Sequence, residues 1–237
     1  MLTEIAAVHS KNEFLEVPFR ASLMATVAGQ AKTGASIFYT CWIYQSVTLK
    51  HPLILASASP RRRRLLRDAG YEFSVVPPPL HEPAPTRTPA VNAASWAEAL
   101  AYFKAAAVAA SYPDAIVIGA DTVVTHSGNI IGKPKDLADA RRILSTMFGG
   151  HNDVITGLAV LCLAHSRRVI THEATAIIMR PMDTDEVDQY LATGAWRDKA
   201  GAYAIQEGGD KFVQSIHGSF SNIVGLPMEK LKDVLTQ

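Results

Sequence analysis

The strongest constraint on this chain is the stretch Leu53-Ile54-Leu55-Ala56-Ser57-Ala58-Ser59-Pro60-Arg61-Arg62, where a short apolar run breaks into small hydroxyl residues and then into arginines. It reads as a buried strand running into a helix N-terminus. Ser59 suits the N-cap, and Pro60 suits the first helical position, where its missing N–H would be unpaired anyway. Leu65, Leu66 and Ala69 give the helix an apolar face until Gly70 ends it. The arginines therefore fall at the positive end of the helix, which is mildly unfavourable unless an anion sits between them and the exposed backbone N–H groups. An oligophosphate would satisfy both. The same arginines read equally as a solvated basic helix start or, over Arg61–Arg64, as a localisation or nucleic-acid patch.

A second strand, Ala115–Val124, narrows the reading. Ile116, Val117 and Ile118 form the continuous apolar run of a strand covered on both faces, and Gly119-Ala120 lets other backbone come close just before Asp121. A carboxylate at a buried strand end is costly unless a cation, a metal or a reaction uses it. Downstream, Ile130–Gly132 returns the chain after a turn and sets Lys133 before Pro134, which suits a phosphate ligand as well as an ordinary turn lysine. Upstream, a Pro-rich loop after Pro77-Pro78-Pro79 carries Glu82, whose plain reading is a solvated carboxylate on a binding or lid loop. Between these, Val91–Ser111 is an alanine-rich helix in which Trp96, Leu100, Phe103 and Ala107 recur at helical spacing as a core stripe, with Lys104 a snorkelling edge lysine beside it.

With 237 residues and 48% hydrophobic residues, the chain is long enough to bury a sizeable core. Its net charge of +1 gives no global attraction to nucleic acid or an anionic membrane, so phosphate recognition has to come from a local cluster. Two cysteines without metal-ligand spacing, Cys41 and Cys162, fit a reduced, cytoplasmic setting, and the eight histidines form no HExxH or CxxC-type constellation. Residues 1–50 differ in character and contain no credible transmembrane helix. They read as a poorly ordered N-terminal extension to a domain at 51–237, with an organelle or export signal as the minority reading.

The remaining elements are a short strand at Tyr71–Val76, a helix Leu137–Phe148 capped by Asp136, and two antiparallel strands at Val154–Leu163 and Arg168–Met179. Leu137, Ala140, Ile143, Leu144 and Met147 are expected inward. A helix then starts at the capping-box pair Asp183 and Glu186 and ends at Gly194, Phe212–Ile216 is a strand, and the chain closes on a helix after Gly225-Leu226-Pro227.

Several separated motifs line up with one family. From Leu53 to the C-terminus the chain resembles the Maf nucleoside triphosphate pyrophosphatases, through Ser57-Ala58-Ser59-Pro60-Arg61-Arg62, Gly119-Ala120-Asp121-Thr122-Val123-Val124, Gly132-Lys133-Pro134, Asp198-Lys199-Ala200-Gly201-Ala202-Tyr203, Ile205-Gln206, and Gly218-Ser219 through Gly225-Leu226-Pro227. The resemblance implies an α/β fold with an elongated mixed sheet flanked by helices, in two lobes around a central cleft, and a homodimer. It implies hydrolysis of a nucleoside triphosphate between the α and β phosphates, with Asp121 as proton acceptor. Ser57, Arg61, Glu82, Lys104, Lys133 and Gln206 fall on the family's other active-site positions. By the residue types, Arg61, Lys104 and Lys133 form a phosphate clamp, and Glu82 joins Asp121 at a metal site for Mg²⁺ or Mn²⁺. Arg61, Thr122 and Gln206 match the subgroup that takes dTTP and UTP, whereas the 7-methylguanosine triphosphate subgroup has Trp after Ser-Pro. No nucleic-acid or membrane partner is implied. Rival readings are a pyrophosphatase for modified purine triphosphates and a nucleotide-binding regulator that has lost turnover. The chain departs from the family pattern at Asn152, where a His is usual, and at Ala204, Glu207 and Phe220.

Overall fold

The computed structural model describes residues 26–30, 36–40, 49–80, 92–197, 199–203, 205 and 210–236. In the N-terminal segment, β1 (Thr26–Gln30) and β2 (Ser36–Thr40) pair antiparallel with Thr26 opposite Thr40. Apart from these strands, Leu49 and Lys50, the segment expected to be a poorly ordered extension lies outside the described residues.

Seven further strands build one mixed sheet: β3 (Leu53–Leu55), β4 (Ser74–Val75), β5 (Ile116–His126), β6 (Asn129–Ile131), β7 (His151–Cys162), β8 (Arg167–Met179) and β9 (Val213–His217). Their order is β4-β3-β5-β7-β8-β9, with β6 paired to β5. β3 runs parallel to β4 and β5, and the pairs from β5 onward are antiparallel. The helices are α1 (Pro60–Asp68), α2 (Ala93–Ala109), α3 (Leu137–Met147), α4 (Thr184–Ala192), α5 (Phe220–Val224) and α6 (Met228–Thr236). None of the described helices is long and apolar enough to cross a membrane.

Side-chain alternation divides the strands between two layers. Leu53, Leu55, Ile116, Ile118, Leu158 and Val160 pack with Leu66 of α1 and Leu231 and Leu235 of α6 on one face. Ile54, Val117, Ala159 and Leu161 pack under Ala101, Ala105 and Val108 of α2 on the other. A third core, at the far end of the sheet, gathers Val124, Val154, Ile177 and Met179 with α3, α4, Tyr203 and Phe212. Ile116–Ile118 is thus covered on both sides, as its unbroken apolar run requires.

The face α2 presents corrects the sequence reading. Ala97, Ala101, Lys104, Ala105, Val108 and Ala109 are the buried positions, whereas Phe103 is 57% exposed and Trp96, Leu100 and Ala107 are half-buried. The reason lies in the sheet. A Cβ on Gly119 would stand 2.2 Å from the Ala101 carbonyl oxygen, and one on Gly157 2.2 Å from that of Ala97. The helix lies so close to β5 and β7 that only an alanine face fits, and the large side chains turn to its flanks. Other differences are smaller. Only Ser74–Val75 of the expected Tyr71–Val76 strand is extended ladder, Leu137 is 51% exposed in the first turn of α3, and α5 is a short helix not anticipated before the last one. The caps follow expectation: Ser59, Asp136 and Asp183 each accept from a first-turn backbone N–H, and Glu186 completes the capping box.

Candidate active site

The pairing registers leave an opening in the sheet. One edge of β5 is bonded to β7 from Val117 to His126. On its other edge β3 reaches only to Ile118 and β6 begins only at Val124. Between them, residues 119–123 have an edge that no described strand covers. The three walls follow from the chain path. Beyond β3 the chain passes through buried Ser57 and turns into α1, whose second position is Arg61. Beyond β6 it runs through Gly132, whose carbonyl accepts from Gly201 N–H at 3.2 Å, to Lys133. Asp121 and Thr122 line the middle.

Adjacent strand residues face opposite sides of a sheet, so Asp121 and Thr122 enter different surroundings. Asp121 lies on the α2 side. Lys104, one helical turn beyond the Ala101 that sits over Gly119, reaches its Oδ1 with Nζ at 2.5 Å, and the two side chains are 9% and 11% exposed. The close approach of α2 puts this lysine on the carboxylate; it is no snorkelling edge residue. An ion pair this buried is retained against a desolvation cost, so removing the Lys104 ammonium strands the Asp121 carboxylate.

Thr122 lies on the α1 and α5 side. Arg62 Nη2 donates to Thr122 Oγ1 at 3.1 Å, its Nη1 to Ser57 Oγ at 3.1 Å and its Nε to the Gly225 carbonyl at 2.7 Å. Thr122 Oγ1 also meets Thr156 Oγ1 at 2.9 Å, and Thr156 donates to the Asn222 carbonyl at 3.0 Å. Asn222, fully buried, donates from Nδ2 to Val154 O and Thr175 Oγ1, both at 2.9 Å. Arg62 thus makes three donor contacts to protein acceptors and braces Ser57, Thr122 and the Gly225 turn.

Ser57, Arg61, Lys104, Asp121, Thr122 and Lys133, separated by up to 76 residues, are thus all carried by segments bordering the opening. Glu82 and Gln206 lie outside the described residues. The roles of Arg62, Thr156 and Asn222 escaped the sequence reading, because no local signal pairs a threonine on β7 with one on β5; the register Thr122 opposite Thr156 does. Asn152, which departs from the family pattern, is built into the fold: its Nδ2 donates to Met147 O and its Oδ1 meets His126 Nδ1 at 2.9 Å. Among the described residues no three His, Cys, Asp or Glu side chains gather as a metal site. An open hollow of about 330 Å³ between α3 and α4, lined by Arg141, Ser145, Phe148, Pro181 and Met182 among others, borders none of these residues.

The sheet is thus open at a buried carboxylate, with Arg61, Lys104 and Lys133 carried by the segments around it. Residues 52–237 match the family described as Maf-like protein, and the chain belongs to that family. Among its curated relatives, the dTTP/UTP pyrophosphatase of Moorella thermoacetica is 43% identical over 183 residues, covering 77% of this chain and 93% of that one. Those of Alkaliphilus metalliredigens and Pelotomaculum thermopropionicum are 44% and 40% identical, each covering 77% of this chain and 94% of the relative.

Proposed function

We propose that this chain hydrolyses dTTP and UTP between the α and β phosphates, releasing the nucleoside monophosphate and pyrophosphate. The observation that carries the chemistry is the buried Lys104–Asp121 pair on the uncovered stretch of β5, and the relatives' activity supports the substrate. Water attacks the α-phosphorus, the bond from that phosphorus to the α,β-bridging oxygen breaks, and Asp121 takes the proton of the attacking water. Lys104 fixes the carboxylate through Oδ1. Arg61 at the start of α1 and Lys133 at the end of the returning strand bind phosphate oxygens as the charge moves toward pyrophosphate. Ser57 is held in place by Arg62.

A hard divalent cation, Mg²⁺ or Mn²⁺, fits a donor set of carboxylate and phosphate oxygens, and Asp121 with Glu82 would hold it. When bound it neutralises the triphosphate and polarises the phosphorus. Gln206 presents an amide donor and acceptor to the keto and N3–H edge of uracil or thymine. We read the chain as a cytoplasmic homodimer without nucleic-acid or membrane partners, in keeping with its net charge of +1.

The experiment is pyrophosphate release from dTTP, UTP, CTP, GTP and 7-methylguanosine triphosphate with Mg²⁺ or Mn²⁺. The reading expects dTTP and UTP to exceed CTP by about 10–150-fold in kcat/KM, the worth of one polar recognition pair. Equal values for all five nucleotides, or 7-methylguanosine triphosphate as the best substrate, would reject it.

A further inference from the structure

Arg62 is braced by a carbonyl just past the end of α5, and α5 is itself held from outside. It spans only Phe220–Val224, too short a helix to keep its place on its own bonds. Asn222, buried at its centre, supplies the anchorage. Its Nδ2 reaches two strands, donating to Val154 O of β7 and Thr175 Oγ1 of β8, and its backbone N–H donates to Ser219 Oγ at 3.1 Å. Thr175 Oγ1 donates in turn to the Ser219 carbonyl at 3.0 Å. The Asn222 carbonyl receives Gly225 N–H and Thr156 Oγ1, each at 3.0 Å. Asn222 Oδ1 meets no hydrogen-bond partner among the described residues, so the amide is used through its two donors.

We infer that Asn222 is a positioning residue for turnover, acting through Gly225 on Arg62. The turn that Asn222 anchors sets the Gly225 carbonyl 2.7 Å from Arg62 Nε. A guanidinium is a rigid plane, so fixing Nε also fixes the directions in which Nη1 meets Ser57 and Nη2 meets Thr122 at the opening. The turn has little slack: a Cβ on Gly225, at φ +120°, would stand 3.3 Å from Thr122 Oγ1 and 3.5 Å from Arg62 Nε. Asn222 is wholly buried and offers no surface to a substrate, so its influence on the reaction runs through these bonds. A misplacement of about 1 Å transmitted to a reacting site costs up to about 10²-fold in rate. Loosening α5 from β7 and β8 is therefore expected to slow turnover in a protein that still folds.

The inference rests on the proposed triphosphate hydrolysis. Its test is kcat for pyrophosphate release from UTP by the unmodified protein, Asn222→Ala, Arg62→Lys and the double variant, each assayed where circular dichroism shows it folded. Leu235→Ala, at a buried position of α6 outside these hydrogen bonds, is the control for a merely structural loss. Asn222→Ala is expected to lose about 10–100-fold in kcat, and Leu235→Ala to stay within about twofold. Arg62→Lys keeps a charge without the planar fork, so adding Asn222→Ala to it should change kcat by less than about twofold. A folded Asn222→Ala protein with unchanged kcat, a loss matched by Leu235→Ala, or equal losses with and without Arg62 overturns the inference. If Arg62→Lys has no turnover, the contrast between Asn222→Ala and Leu235→Ala decides. Should Asn222→Ala fail to fold, Thr175→Val, which removes one of its two acceptors, takes its place, with Thr175→Ser expected to hold kcat; an unchanged kcat in Thr175→Val overturns the inference. Unmodified protein that releases no pyrophosphate from UTP overturns the proposed function and this inference together, whereas UTP turnover insensitive to Asn222 overturns the inference alone.

Discussion

Replacing Lys104 by Met tests the centre of the site through stability, independently of turnover. Met keeps the length and apolar stem of the lysine but removes the ammonium that stands 2.5 Å from Asp121 Oδ1. With the two side chains 9% and 11% exposed, water compensates the stranded carboxylate poorly. Removing one partner of such a pair costs about 3–5 kcal/mol. For a chain of 237 residues each kcal/mol moves Tm by roughly 2–4 °C, so Lys104→Met is expected to melt about 6–20 °C lower. Asp121→Asn removes the carboxylate charge that Lys104→Met strands, so the double variant should melt above Lys104→Met alone. The assay is thermal and denaturant unfolding of the parent, both single variants and the double variant, with the cycle isolating the pairwise coupling. A Lys104→Met protein melting within about 2 °C of the parent, or a coupling below about 0.5 kcal/mol, would refute the reading of these residues as a mutually dependent buried pair.

Asp121→Asn is expected to lower pyrophosphate release by about 10²–10⁴-fold, the usual worth of a positioned general base, while circular dichroism stays native. Gly119→Ala should destabilise by about 1–3 kcal/mol or more, because the added methyl meets backbone atoms of α2 rather than a flexible side chain, and chemical denaturation reads this directly. Hydrogen bonds from Arg180 hold the Glu186 carboxyl below its ordinary value of 4.5. The stability this linkage supplies is full above the unfolded carboxyl's value and lost as acid protonates the folded one, so Glu186→Gln should flatten the fall of Tm below pH 4.5. Deleting residues 1–50 should leave pyrophosphate release and Tm nearly unchanged, since the family match begins at Pro52; loss of soluble protein would contradict this.

Local chemistry determined much of this protein. The caps at Ser59, Asp136 and Asp183, the two-sided burial of Ile116–Ile118 and the antiparallel pair β7 and β8 were all legible, because a cap or an alternation depends on residues within a turn or two of one another. So was the cost of a carboxylate at Asp121, and family resemblance named Lys104, which the fold pairs with it. The tertiary structure alone decided which face of α2 turns inward. Helical spacing favours the large apolar residues Trp96 and Phe103, but the glycines of β5 and β7 admit only the alanine face, and that rotation delivers Lys104 to Asp121. It alone decided that Arg62 is a brace and that Thr122 meets Thr156, since both depend on contacts between segments 34 to 163 residues apart. Periodicity records that a helix has a face, while the partner that face meets is set by the space another part of the chain leaves for it.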